Sequence, residues 1–148
     1  MPHGLPSAVL FCCTFNVIRS PMAVGIFQRI HGNRVFVDSV GVKTDEADPF
    51  AISVMEEIGI DISRHHPRTF EELEDESFDL IISLSPEAQH KAVELTRTNA
   101  CEVEFWPTFD PTWIEGTREA RLDAYRQVRD ELERHIMERF PRHGLARE

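Results

Sequence analysis

The chain reads as one α/β domain, a four-stranded parallel sheet with helices on both faces. Two observations predict it. Short apolar runs of strand length alternate with segments whose apolar residues recur every three or four positions, the order that strand-to-helix crossovers produce. The 148 residues, 41% hydrophobic, can bury one real core, and no linker, internal repeat or low-complexity tract divides them.

The first strand is placed at 8–13, where alternation sends Leu10 and Cys12 to one face and Val9, Phe11 and Cys13 to the other. A polar turn follows, then a helix over 21–31, with Ser20 as N-cap and Pro21 in the first turn, where its missing N–H costs nothing. The second strand is expected at 34–39, the second helix at 48–58, and Glu71 to Glu76 reads as an acidic turn or short helix. The third strand is set at 78–83, the third helix at 86–97, and the last strand at 101–106. The final helix, 117–139, is the clearest, since Leu122, Tyr125, Val128, Leu132, Ile136 and Phe140 form one apolar stripe. Residues 141–148 read as a fraying end.

Five residues separate Cys13 from Arg19 in the turn after the first strand. A loop of that length entering a helix directs its amides around one tetrahedral oxyanion, so Thr14, Phe15, Asn16, Val17 and Ile18 form a cradle for it. The helix dipole and unpaired amides favour a thiolate, and Cys13 is expected to be ionised at neutral pH. Arg19 can grip two oxygens with its fork, which Lys cannot do. Such a loop moves a phosphoryl group onto sulfur, and an ester then needs a proton for its leaving oxygen. Asp110, between Phe109 and Pro111 in a loop after the last strand, is the candidate; desolvation and nearby anions would raise its pKa. Carboxyl ends of parallel strands gather at one edge, which would bring Asp110 to Cys13.

These motifs resemble those of the low-molecular-weight protein tyrosine phosphatase family, which also contains the thioredoxin-coupled arsenate reductases. The similarity runs from Val9 to about Phe140. It includes Cys13, Arg19, Ser20 and Pro21, then Asp38-Ser39 with Gly41, Gly59 to Ser63 followed by His65 and Arg68, the strand Phe78 to Ile82, and Asp110-Pro111. The resemblance implies that Cys13 is the nucleophile, Arg19 the transition-state clamp and Asp110 the general acid that later activates water. Ser20 would hydrogen-bond the thiolate, and Asn16, Ser39 and His65 would brace the loop. The chain departs from the family at three places. Phe15 stands where the family has Gly at a close backbone turn, and can form a pocket wall. Ile18 replaces the second Cys of many eukaryotic relatives. Thr112 and Trp113 replace two tyrosines, leaving Trp113 as the aromatic wall.

Other residues take plainer readings. Cys12 and Cys101 are small buried hydrophobes; Cys12 points away from Cys13, so the two cannot bridge without strain. His65-His66 lacks further ligands at metal spacing, so no metal is expected, and no cofactor. His3, His31, His90, His135 and His143 are expected on the surface, and Trp106 in the core. There is no Walker loop and no dinucleotide fingerprint. Three cysteines make no disulfide framework and no leader is seen, so a reducing cytoplasm is the expected setting. A formal net charge of −10 argues against nucleic-acid and membrane partners. Asp45, Glu46 and Asp48 are candidates for favouring basic residues beside a phosphotyrosine.

The expected activity is metal-free hydrolysis of a phosphotyrosine-containing protein or small aryl phosphate through a phosphocysteine, releasing inorganic phosphate. The alternatives are arsenate reduction on the same loop, which needs two further relay cysteines, and a catalytically weakened phospho-ligand binder.

Overall fold

The computed structural model describes residues 5–74 and 77–142. Its elements are β1 (Ala8–Cys13), α1 (Arg19–His31), β2 (Phe36–Gly41), α2 (Pro49–Glu56), β3 (Leu80–Ser83), α3 (Pro86–Leu95), β4 (Glu102–Phe105) and α4 (Arg118–Arg139), with short 3-10 turns at Gly32–Arg34, Phe70–Glu72 and Pro111–Trp113. The strands lie in the order β2-β1-β3-β4, and every pairing is parallel. Each strand therefore ends at the same edge, and the loop after each can reach a common site.

β1 is central and buried along its whole length, which is why it is apolar throughout rather than alternating with polar residues. Its two faces feed two cores. Val9, Phe11 and Cys13 pack with Met22, Ile26 and Phe27 of α1 and with Leu132 and Ile136 of α4. Ala8, Leu10 and Cys12 pack with Val40, Ile81, Ala88 and Ala92. The apolar stripe of α4 lies against the first of these cores, ending at Phe140. Helix starts are fixed by side chains: Asp48 accepts from the Phe50 and Ala51 amides, Ser85 from Ala88 and Thr117 from Ala120.

Four local expectations are corrected. β2 begins two residues later than 34, because the 3-10 turn with Gly32 at φ 61° takes up Gly32–Arg34. In the sheet register Gly41 stands beside Cys13. Helix α1 starts at Arg19 with Ile18 at the N-cap, so Ser20 sits inside the first turn and its hydroxyl is free for another partner. His31 is buried, its ring 4.8 Å from that of Phe27 and its Nε2 2.9 Å from the Phe140 carbonyl. His135 is half-buried beside the Trp106 ring, and Trp106 itself is in the core. The acidic stretch makes one 3-10 turn at Phe70–Glu72, closed by a Thr69–Glu72 capping box. Its last residues Asp75 and Glu76, like His3 and most of 141–148, lie outside the described residues.

Candidate active site

Cys13 ends β1 and is 2% exposed. Its Sγ accepts the backbone N–H of Asn16 at 3.3 Å and of Ser20 at 3.4 Å, and lies 2.9 Å from Ser20 Oγ. The loop from Thr14 to Ile18 thus curls back over the sulfur, and the head of α1 points at it. A cavity of about 270 Å³ opens above, lined by Cys13, Val17, Ile18 and Arg19, with the more exposed Phe15 on its wall.

Asn16 holds the loop in this shape. It has φ 61°, the left-handed conformation that Asn tolerates better than most side chains. Its Nδ2 donates to Ser20 Oγ at 2.8 Å and Ser39 Oγ at 2.9 Å, while Oδ1 accepts from the Arg68 amide at 2.9 Å. His65 Nε2 lies 2.9 Å from the Asn16 carbonyl and 3.1 Å from Oδ1. Both of those atoms only accept, so His65 carries its proton on Nε2. Burial holds the His65 pKa below its ordinary value, against the opposing effect of the bond to the Asn16 carbonyl. Arg68 in turn pairs with Asp38. Ser39, His65 and Arg68 are therefore brought to the back of the loop.

The close backbone approach expected at Phe15 falls elsewhere. A Cβ on Gly41 would stand 2.6 Å from the Lys43 carbonyl oxygen, 2.8 Å from the Asn16 nitrogen and 2.9 Å from the Phe15 carbonyl carbon. Gly41 lets β2 press against the loop, Asn16 supplies the left-handed turn, and Phe15 is free to carry a ring into the cavity wall.

Arg19, 7% exposed, is anchored from across the sheet edge: Nη1 donates to the Thr108 carbonyl at 2.8 Å. Its Nη2 reaches Thr14 Oγ1 at 3.4 Å and stands 3.9 Å from Asp110 Oδ2. Asp110 caps the 3-10 turn with Oδ1, which accepts the Thr112 amide at 3.0 Å and hydroxyl at 2.7 Å. Oδ2 is left facing the cavity beside Arg19. Trp113 is not brought there: it is 73% exposed and packs edge-on against Phe109, and Thr112 lines the cavity in its place.

The remaining wall is acidic, formed by Asp45, Glu46 and Asp48. Asp48 Oδ2 accepts the Tyr125 hydroxyl at 2.8 Å, and burial followed by this bond pushes the phenol pKa up. Three contacts had no reading in the sequence. The Thr108 carbonyl is backbone and carries no residue signal; the Thr14 hydroxyl contact with Ser85, 3.0 Å away, joins distant segments. Tyr125 on an apolar stripe was the one available cue, since a buried phenol needs a partner.

Neither of the other thiols lines the cavity. Cys12 is buried on the opposite face of β1, its Sγ 3.8 Å from the Ile82 carbonyl, and burial, then the neighbouring Cys13, pushes its pKa well up. Cys101 precedes β4 at the far end of the sheet, level with the start of β1. Five residues of strand, about 17 Å, separate that level from Cys13.

Fold and loop together define a class of α/β domain in which a buried cysteine at the end of the first strand meets backbone amides from the loop and from the head of the first helix. Residues 8–146 match the family model described as low molecular weight phosphotyrosine protein phosphatase, and the chain belongs to that cysteine-based enzyme family. Among curated relatives, an arsenate reductase of Halalkalibacterium halodurans is 34% identical over 128 residues, covering 86% of this chain and 91% of the relative. Among solved structures, the low molecular weight protein tyrosine phosphatase of T. tengcongensis superposes with TM-score 0.72 at 27% identity, covering 89% of this chain and 95% of that one. An arsenate reductase in the phosphate binding state gives TM-score 0.71, also at 27% identity and with the same coverage, 89% and 95%. Both activities are thus represented among proteins about equally similar in fold.

Proposed function

We propose that the protein is a phosphomonoesterase of the tyrosine phosphatase type, with Cys13, Arg19 and Asp110 as catalytic residues. Cys13 Sγ attacks phosphorus in line as the ester P–O bond breaks. The loop amides from Thr14 to Ser20 and the Arg19 guanidinium hold the equatorial oxygens, and Asp110 Oδ2 protonates the departing phenolate. The resulting Asp110 carboxylate takes a proton from water, whose oxygen displaces the sulfur and releases inorganic phosphate. The Asn16 side chain, Ser39 and His65 position the loop, and of the three residues only Asn16, through its backbone N–H, meets the reacting sulfur. The observation that carries this reading is the arrangement around the sulfur: two amides and the Ser20 hydroxyl aimed at Cys13, with Arg19 Nη2 and Asp110 Oδ2 3.9 Å apart above it.

Arsenate reduction is the second reading, favoured by the curated relative just described. The same cradle would accept arsenate, a near copy of phosphate. The positions of Cys12 and Cys101 give Cys13 no partner thiol within the chain, so an external thiol would have to complete the cycle. Turnover of p-nitrophenyl phosphate by the native chain, Cys13→Ser and Asp110→Asn decides between them. An active native protein, an inactive Ser variant and a strongly slowed Asn variant support the phosphatase. No ester turnover, with thiol-dependent arsenite production, supports the reductase.

A further inference from the structure

The cavity has two electrostatically opposed walls. Cys13 and Arg19 form one that suits a dianion; Asp45, Glu46 and Asp48 form the other. Carboxylates at the mouth repel a bare phosphate ester, and the formal net charge of −10 adds to that field. They become favourable only when the substrate brings its own cation. The three acids are not equivalent. Both oxygens of Asp48 are engaged, Oδ1 by the α2 amides and Oδ2 by Tyr125. Asp45 uses Oδ1 on the Glu46 amide at 2.8 Å, and among the described residues neither Asp45 nor Glu46 has an ion-pair partner. Lys43, exposed in the same loop, pairs with neither. These two exposed carboxylates share one cavity with the nucleophile, so a group that docks on them is attached to the ester held below.

Resting on the phosphatase reading, we infer that Asp45 and Glu46 select phosphotyrosine peptides with Lys or Arg next to the phosphotyrosine. Exposed pairs of this kind are individually weak, and two of them correspond to a preference of about three- to tenfold in kcat/KM. The sign of the salt effect is characteristic: added salt slows basic peptides and speeds acidic ones, since the Debye length shrinks from about 10 Å at 0.1 M to about 3 Å at 1 M.

The test compares matched phosphotyrosine peptides flanked by Lys, Ala or Glu, in low and high salt, on the native chain and the double variant Asp45→Asn/Glu46→Gln. Glu133→Gln/Glu138→Gln, which removes two exposed charges on α4, is the control for net charge. Expected are the order Lys, Ala, Glu in kcat/KM, a Lys-to-Glu ratio that collapses toward one in the double variant, and a ratio that persists in the control. Equal rates for the three peptides in low salt, or a ratio that survives the double substitution, would overturn the inference. Assaying p-nitrophenyl phosphate alongside separates the two levels: turnover of that ester with a flat peptide profile removes only the selection by Asp45 and Glu46, whereas no turnover removes the phosphatase reading and the inference with it.

Discussion

The floor and the rim of the cavity are built on different principles. On the floor every polar group is tied down: Asn16 alone is joined to Ser20, Ser39, His65 and Arg68, and Arg19 is fixed by the Thr108 carbonyl. On the rim, Phe15 is 38% exposed, Trp113 lies outside the cavity at 73%, and Asp45 and Glu46 have no ion-pair partner among the described residues. A buried, fully bonded loop holds its amides ready for an oxyanion before any substrate arrives, which is where transition-state stabilisation originates. The rim can only alter what is presented to that loop. Floor substitutions should therefore change kcat and stability, and rim substitutions KM and preference.

The largest effect is expected for Cys13→Ser, with loss of at least ~10³-fold in kcat and no phosphocysteine, since the hydroxyl is a far weaker nucleophile. Arg19→Lys and Asp110→Asn should each lower kcat by about 10²- to 10³-fold, the Asn variant less with p-nitrophenyl phosphate than with phenyl phosphate, whose leaving group needs the proton more. Steady-state kinetics with both esters checks this. Asn16→Ala leaves the Arg68 amide and the Ser39 hydroxyl without their partner, and should cost about 1–3 kcal/mol in urea unfolding together with a fall in kcat. Phe15→Ala should move KM by less than about tenfold and leave the unfolding midpoint unchanged; a large fall in kcat would place Phe15 with the floor.

The smallest effect concerns pH. Burial lowers the pKa values of His31 and His65 from their ordinary 6.5. The unfolded chain then takes up protons first as pH falls through that value, so stability is full above it and declines below. Urea midpoints at pH 7.5 and about pH 5.5 should differ in that direction. His31→Phe should remove part of the slope, leaving the share from His65.

The floor was far more legible in the sequence than the rim. Cys13 and Arg19 are close in the chain, and the face alternation along 8–13 and the stripe of α4 are local patterns that the packing kept. Asn16, Ser39 and His65 were found through the family's motifs and do meet behind the loop. What was missed depends on contacts between distant segments. His31 continues the buried i+4 row of Ala23 and Phe27 in α1, and the partner that satisfies its ring, the Phe140 carbonyl, is 109 residues away. Ser20 looks like an N-cap, yet its hydroxyl is used on Cys13, and the helix starts two residues earlier than expected, without a side-chain cap. The two-residue shift of β2 follows from a 3-10 turn that propensity does not separate from a strand start, and the close approach of Gly41 to the loop joins segments that are distant in the chain. Trp113 shares a short loop with Asp110 but the 3-10 turn points it outward.

The most direct measurement is rapid acid quenching of Asp110→Asn during turnover of p-nitrophenyl phosphate, followed by peptide mass analysis. With the water-activating carboxylate gone, the account predicts one phosphoryl group accumulating on the peptide that contains Cys13. Stoichiometric release of p-nitrophenol with Cys13 unmodified throughout would contradict it.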